Sequence, residues 1–132
     1  MRNLKWVAAV AIGVFTGCAA RDPSVQEIKS AQELKGKMEA REVRVIHSLD
    51  ATNYAKGHIP GAENIDYEKM TQQMLPQKKD EPMVFYCAGG MCPVGKMAAN
   101  KAAKWGYTKV WVYEGGMKDW QNSGMTVAKG GS

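Results

Sequence analysis

The 132-residue chain has no apolar run long enough to cross a bilayer: its longest, Trp6 to Thr16, holds about eleven residues where a spanning helix needs about 20. It has no concentrated basic stripe either. The formal charge of +5 falls to about +3 once Arg2 and Lys5 are set aside, and the remaining excess is spread over lysine-rich helices, so nucleic-acid binding is not expected. Internal repeats and low-complexity tracts are absent, and a stretch of this length builds one core, so one domain and not two is expected in it. Histidine is scarce, with only His47 and His58, and so is cysteine, with only Cys18, Cys87 and Cys92, so each thiol needs its own account.

What is present at the N-terminus is a short basic region, Met1 to Lys5, followed by the apolar stretch, which is the pattern of a signal peptide. The stretch ends in Phe15-Thr16-Gly17-Cys18, which resembles the bacterial lipoprotein box, in which small residues precede a cysteine that receives lipid. Residues 1–17 are therefore read as a lipoprotein signal peptide, Cys18 as the lipidation site, and 18–24, small and polar with Pro23, as a lipidated tether. The alternative is ordinary cleavage that leaves Cys18 a free thiol. Ala19 is not the Asp that commonly retains such proteins at the inner membrane, so the expected location is the periplasmic face of a membrane, the outer membrane favoured. Disulfides persist in that compartment.

Beyond the tether, helix signals alternate with strand signals. Ser30 and Glu33 have capping-box spacing ahead of Leu34, predicting a short helix that ends near Gly36. Val43 to Ile46 is a β-branched strand, and Asp50 caps a helix closed by Gly57. A turn at His58 to Gly61 leads into a strand over Ala62 to Ile65, and Asp66 begins a helix that Pro76 ends. Met83 to Tyr86 is the most apolar strand; a helix follows from Val94 to Trp105, then a strand from Lys109 to Tyr113 and a helix around Met117 to Gln121. The alternation predicts an α/β fold: an open, mostly parallel sheet flanked by helices, with residues 25–127 as the domain and 128–132 as a C-terminal tail.

Ligands of such sheets bind at the carboxyl ends of strands, where Cys87 stands. Between a strand end and a helix N-terminus, loop amides and the helix dipole favour the thiolate, the reactive form of the residue. Gly89 and Gly90 permit the backbone angles of a loop whose N–H groups, from Ala88 through Gly89, Gly90 and Met91 to Cys92, converge on the sulfur. Cys87 and Cys92 lie five positions apart, so the pair is a disulfide, a metal site or a reactive centre.

Here the residues resemble a family. Gly57-His58-Ile59-Pro60-Gly61-Ala62, the Tyr86-Cys87 loop with Gly90 at its fourth place, and the closing run Gly106-Tyr107, Val110, Tyr113, Gly115-Gly116 and Trp120 are similar to the ordered signatures of rhodanese-like domains. The resemblance implies a rhodanese-like open sheet and a sulfurtransferase. In such an enzyme Cys87 would attack a sulfane sulfur donor, hold the sulfur as a persulfide and pass it to a thiophilic acceptor such as cyanide or a protein thiol, which is two-step covalent catalysis. No cofactor and no metal are implied. Phosphatase and arsenate-reductase relatives need an Arg six positions after the cysteine to grip an oxyanion, and Pro93 stands there.

The chain departs from the family pattern at the sixth loop place, where Cys92 replaces the usual cation or hydroxyl. Without a loop cation, persulfide or polysulfide donors are expected in preference to thiosulfate. The family's Asp-x-Arg pair is replaced by His47 and Leu49, so its ion pair must be missing or replaced. His47 is a candidate base or proton relay, with a structural strand-end role as the alternative, and Lys96 is a candidate cation, with a solvated helix face as the alternative. Cys92 is a candidate second thiol; cradle-loop side chains tend to point outward, so a bridge to Cys87 is expected to need loop movement. Cys87, Met91, Cys92 and Met97 suggest a soft-metal site, but nine methionines in one chain read as core filler. Two alternatives to the sulfurtransferase stay open: a periplasmic thiol-disulfide redox protein using both cysteines, and a non-catalytic binding module.

Overall fold

The computed structural model describes residues 20–131, so the signal segment and Cys18 lie outside the described residues. Five strands, β1 (Gln26–Ile28), β2 (Arg44–His47), β3 (Glu63–Asn64), β4 (Met83–Tyr86) and β5 (Val110–Tyr113), form one sheet in the order β1-β5-β4-β2-β3. Every pairing is parallel, so the sheet goes further than the mostly parallel one expected. Parallel strands need covered crossovers, and α1 (Ala31–Glu39), α2 (Ala51–Lys56), α3 (Val94–Lys104) and α4 (Gly116–Asn122) provide most of that cover.

The period-2 alternation of the strands divides the core into two layers. Ile46, Met83, Phe85, Val110 and Val112 pack with Ala98, Ala99 and Ala102 of α3, while Val45, Val84, Tyr86 and Tyr113 pack with Leu34 of α1 and with Met117 and Trp120 of α4. Central β4 serves both layers: all four of its residues are fully buried, which is why Met83 to Tyr86 reads as an unbroken apolar run.

The sequence expectations fail at several boundaries. β1 was not anticipated, since three residues carrying one buried side chain give too little pattern. Gly36 does not end α1. It sits inside the helix, which runs on to Glu39, and Arg41 takes the left-handed conformation at φ 55° instead. The helix expected from Asp66 to Pro76 is two short 3-10 turns, Tyr67–Lys69 and Gln72–Met74. Met70 and Leu75 are both buried, and five positions at about 100° per residue would put them on different faces of one continuous helix, so the chain breaks to bury both. The strand expected over Ala62 to Ile65 shrinks to Glu63–Asn64, and α3 ends at Lys104 with Trp105 as its cap.

Candidate active site

Cys87 follows β4 directly and is 3% exposed. Two glycine turns fix its loop. Gly89 and Gly90 adopt φ of 89° and 62°, and Gly116, at φ 57°, lies so close to the Cys87 carbonyl and the Gly89 amide that a Cβ there would collide with backbone. The contact is backbone to backbone: Met117 N–H donates to Cys87 O and Lys118 N–H to Ala88 O, each at 3.0 Å. Behind the cysteine, Gly95 lets α3 approach the end of β4, since a Cβ there would stand 2.9 Å from Tyr86 Cα.

The expected cradle of amides from Ala88 to Cys92 is not formed. Among the described residues, the N–H that donates to Cys87 Sγ is that of Gly95, at 3.3 Å, while the Cys92 amide donates to Gly89 O at 3.2 Å and Cys92 O lies 3.3 Å from Sγ. The reason is the state of the sulfur. Cys87 and Cys92 are joined as a disulfide, with Cα atoms 6.5 Å apart, and a neutral disulfide sulfur gives loop amides no anion to converge on. The expectation that such a bridge needs loop movement is corrected too: the positive φ values at Gly89 and Gly90 turn the chain so that the Cys92 side chain comes back towards Cys87.

A cleft of about 220 Å³ opens over the sulfurs, lined by Met91, Cys92, Lys96, Tyr113 and Glu114 among others. Lys96 therefore lies at the site and not on an unrelated helix face. Its Nζ is 3.0 Å from Glu114 Oε1, so the one lysine at the cleft is already paired. Tyr113 OH donates to Asp119 Oδ2, and burial followed by that carboxylate pushes its ionisation well above the ordinary range, so the hydroxyl stays protonated.

His47 does not line this cleft. It is 1% exposed, edge-on to the rings of Tyr54 and Tyr86 at 5.4 and 5.2 Å, and its Nδ1 has no hydrogen-bond partner. Burial first, then the neighbouring His58, pushes its pKa down to about 4. The base or relay role is thus not supported; the ring is a neutral packing group. His58 is structural as well, with Nδ1 2.8 Å from Tyr54 O and its ring stacked on Tyr54. In place of an ion pair at His47 and Leu49, Asn64 Nδ2 donates to Leu49 O at 2.6 Å and holds the loop after β2. Arg44 and Glu63 supply a bidentate pair nearby, at 2.6 and 2.7 Å, between β2 and β3.

Sequence reasoning missed Gly95 and Glu114. A glycine three residues after Cys92, on the apolar side of a helix start, was the available signal for the first; nothing local marks the second, because it meets Lys96 only through the fold.

Comparison with known proteins fits this geometry. Residues 30–123 match the rhodanese-like domain family. Thiosulfate sulfurtransferase GlpE of Shewanella oneidensis is 27% identical over 94 residues, covering 71% of this chain and 91% of that protein. The HTH-type transcriptional regulator Rv0324 of Mycobacterium tuberculosis is 30% identical over 107 residues, 81% of this chain, and the chain spans only 47% of its length. Among solved structures, protein BH2092 of Bacillus halodurans superposes with a TM-score of 0.72 at 25% identity, over 79% of this chain and 77% of that one. With the parallel sheet, the loop after β4 and the match across most of the described residues in agreement, the chain belongs to the rhodanese-like domain family.

Proposed function

We propose that this domain is a rhodanese-type sulfurtransferase in which reduced Cys87 takes a sulfane sulfur as a persulfide and passes it to a thiophilic acceptor. The observation that carries the reading is the place of the Cys87 sulfur: at the end of the central strand, beneath a cleft, with the Gly95 N–H aimed at it from the first turn of α3. A backbone donor and a helix N-terminus both favour an anionic sulfur, whether thiolate or persulfide. The likeness to a thiosulfate sulfurtransferase over nearly the whole of that protein supports the same chemistry.

Donor choice follows from charge. Lys96 is the cation at the cleft and Glu114 neutralises it, so the sulfonate oxygens of thiosulfate find no unpaired cation there, and persulfides or polysulfides, which carry no such group to be held, are the preferred donors. Cyanide and protein thiols are the acceptors. The lipoprotein signal in residues 1–17 and the lipidation site Cys18 make the protein an exported lipoprotein at the periplasmic face, the outer membrane favoured.

A second reading, dithiol-disulfide exchange without sulfur transfer, is favoured by the bond between Cys87 and Cys92. Thiocyanate formation from polysulfide and cyanide by the reduced chain separates the two. The sulfurtransferase reading expects turnover that Cys87→Ser abolishes and Cys92→Ser retains; no thiocyanate above the uncatalysed rate from the unsubstituted chain, together with reduction of an added disulfide that needs both cysteines, favours exchange chemistry. Neither thiocyanate formation above the uncatalysed rate nor disulfide exchange marks a binding module.

A further inference from the structure

The two cysteines of the loop are not equivalent. Cys87 is 3% exposed, fixed between β4 and the Gly95 amide, whereas Cys92 is half-buried at the rim of the cleft, between Met91, 97% exposed, and exposed Pro93. Thiol-disulfide exchange requires attack along the bond on the sulfur that can be reached, and expulsion of the sulfur whose anion is better stabilised. Here reach belongs to Cys92 and stabilisation to Cys87. The bond therefore has a direction built into it.

From this asymmetry, and resting on Cys87 as the sulfur acceptor, we infer that Cys92 is a resolving thiol that turns the domain into a reductase of sulfane sulfur. An external dithiol attacks Cys92 Sγ, the bond to Cys87 breaks, and Cys87 leaves as a thiolate facing the Gly95 amide; the second thiol of that dithiol then frees Cys92 and closes its own disulfide. Reduced Cys87 attacks the terminal sulfane sulfur of a persulfide or polysulfide donor; the donor's sulfur–sulfur bond breaks, the remainder leaves as a thiolate or a polysulfide one sulfur shorter, and Cys87 holds the transferred sulfur as a persulfide. Cys92 next attacks Cys87 Sγ, the sulfur–sulfur bond of the persulfide breaks, and the outer sulfur departs as sulfide carrying the two protons of the persulfide and the thiol. The Cys87–Cys92 bond is thereby restored. In each cycle the sulfane sulfur gains two electrons and the external dithiol loses two. The proximity the step needs is already present, since the side chains that must meet are joined in the structure with Cα atoms 6.5 Å apart.

The test uses the full chain in detergent with Cys18→Ser, so that Cys87 and Cys92 are its only thiols. The protein is reduced, loaded anaerobically with about one equivalent of polysulfide and freed of excess reagent, and its intact mass and released sulfide are followed together. The expected result is an adduct of about +32 Da that decays to about −2 Da relative to the reduced chain, with about one sulfide released per chain. In Cys92→Ser, and in Cys92→Ala as a second variant, the adduct should persist and sulfide release should slow by at least ~10-fold. Equal adduct lifetimes with and without Cys92 would overturn the resolving role while leaving the sulfur acceptor intact. Absence of an adduct in both Cys92 variants would overturn the acceptor reading, and this proposal with it.

Discussion

The amide of Gly95 donates to the sulfur of Cys87 across 3.3 Å, and the same glycine has no room for a side chain, because a Cβ would stand 2.9 Å from Tyr86 Cα. The absence of a side chain and the direction of the N–H act together: close approach of α3 to β4 aims the donor. Gly95→Ala should push the helix start away, destabilise the fold by about 1–3 kcal/mol as overpacking does, and slow sulfur loading of Cys87. Chemical denaturation and the rate of persulfide formation, measured on one preparation, check both effects. Full loading rate in a destabilised variant would separate the hydrogen bond from the packing.

Gly116 and Gly36 should respond in opposite ways to the same substitution. Gly116 has φ 57° and backbone atoms of Cys87 and Gly89 where a Cβ would go, so Gly116→Ala strains the junction of the two loops and should cost at least ~2 kcal/mol. Gly36 lies within α1 facing open space, and Gly36→Ala should stabilise the chain by up to about 1 kcal/mol. Thermal unfolding of the two variants beside the wild type measures the contrast.

These positions mark how far the sequence was readable. The central strand, the loop cysteine and the order of helices and strands were legible, because Met83 to Tyr86 is uniformly apolar and the glycines around Cys87 punctuate the chain. Gly36 misled, since a glycine inside a helix looks like a stop until the packing of Ala31 and Leu34 against the sheet holds the helix together past it. The segment from Asp66 to Pro76 misled for a related reason: its cap was genuine, with Asp66 Oδ1 accepting from Glu68 N–H, but burial of Met70 and Leu75 overrode helix continuity. Glu114 could not be read at all, because its pairing with Lys96 joins elements far apart in sequence, and the reach of Cys92 back to Cys87 depended on backbone angles that composition does not specify.

The pair at the cleft sets donor preference. Glu114→Gln removes the carboxylate 3.0 Å from Lys96 Nζ and leaves an uncompensated cation lining the cleft, so the KM for thiosulfate should fall several-fold while that for a neutral donor changes little. Lys96→Ala should have the reverse sign, weakening use of anionic donors. Donor-dependent KM values for the two variants test the assignment, and matching changes for neutral and anionic donors would remove Lys96 from donor recognition.

Acid stability follows from His47. Its pKa in the fold is lowered to about 4, below the ordinary value of 6.5, so between these values the unfolded chain binds a proton that the folded chain does not. Stability should therefore be fully present above about pH 6.5 and fall as pH drops towards 4. His47→Phe keeps a ring between Tyr54 and Tyr86 and removes the titration, so the loss of stability across this window should be shallower than in the wild type. Melting temperatures across the window in both chains decide it; parallel curves would mean that another group governs the acid limb.

The central claim is that Cys87 accepts sulfur, and the most direct measurement is the intact mass of the reduced, anaerobic Cys92→Ser chain, in the Cys18→Ser background, after exposure to polysulfide. The expected result is a gain of about 32 Da that reductant reverses and that is lost when Cys87 is also changed to Ser. An unchanged mass, or the same gain without Cys87, would contradict it.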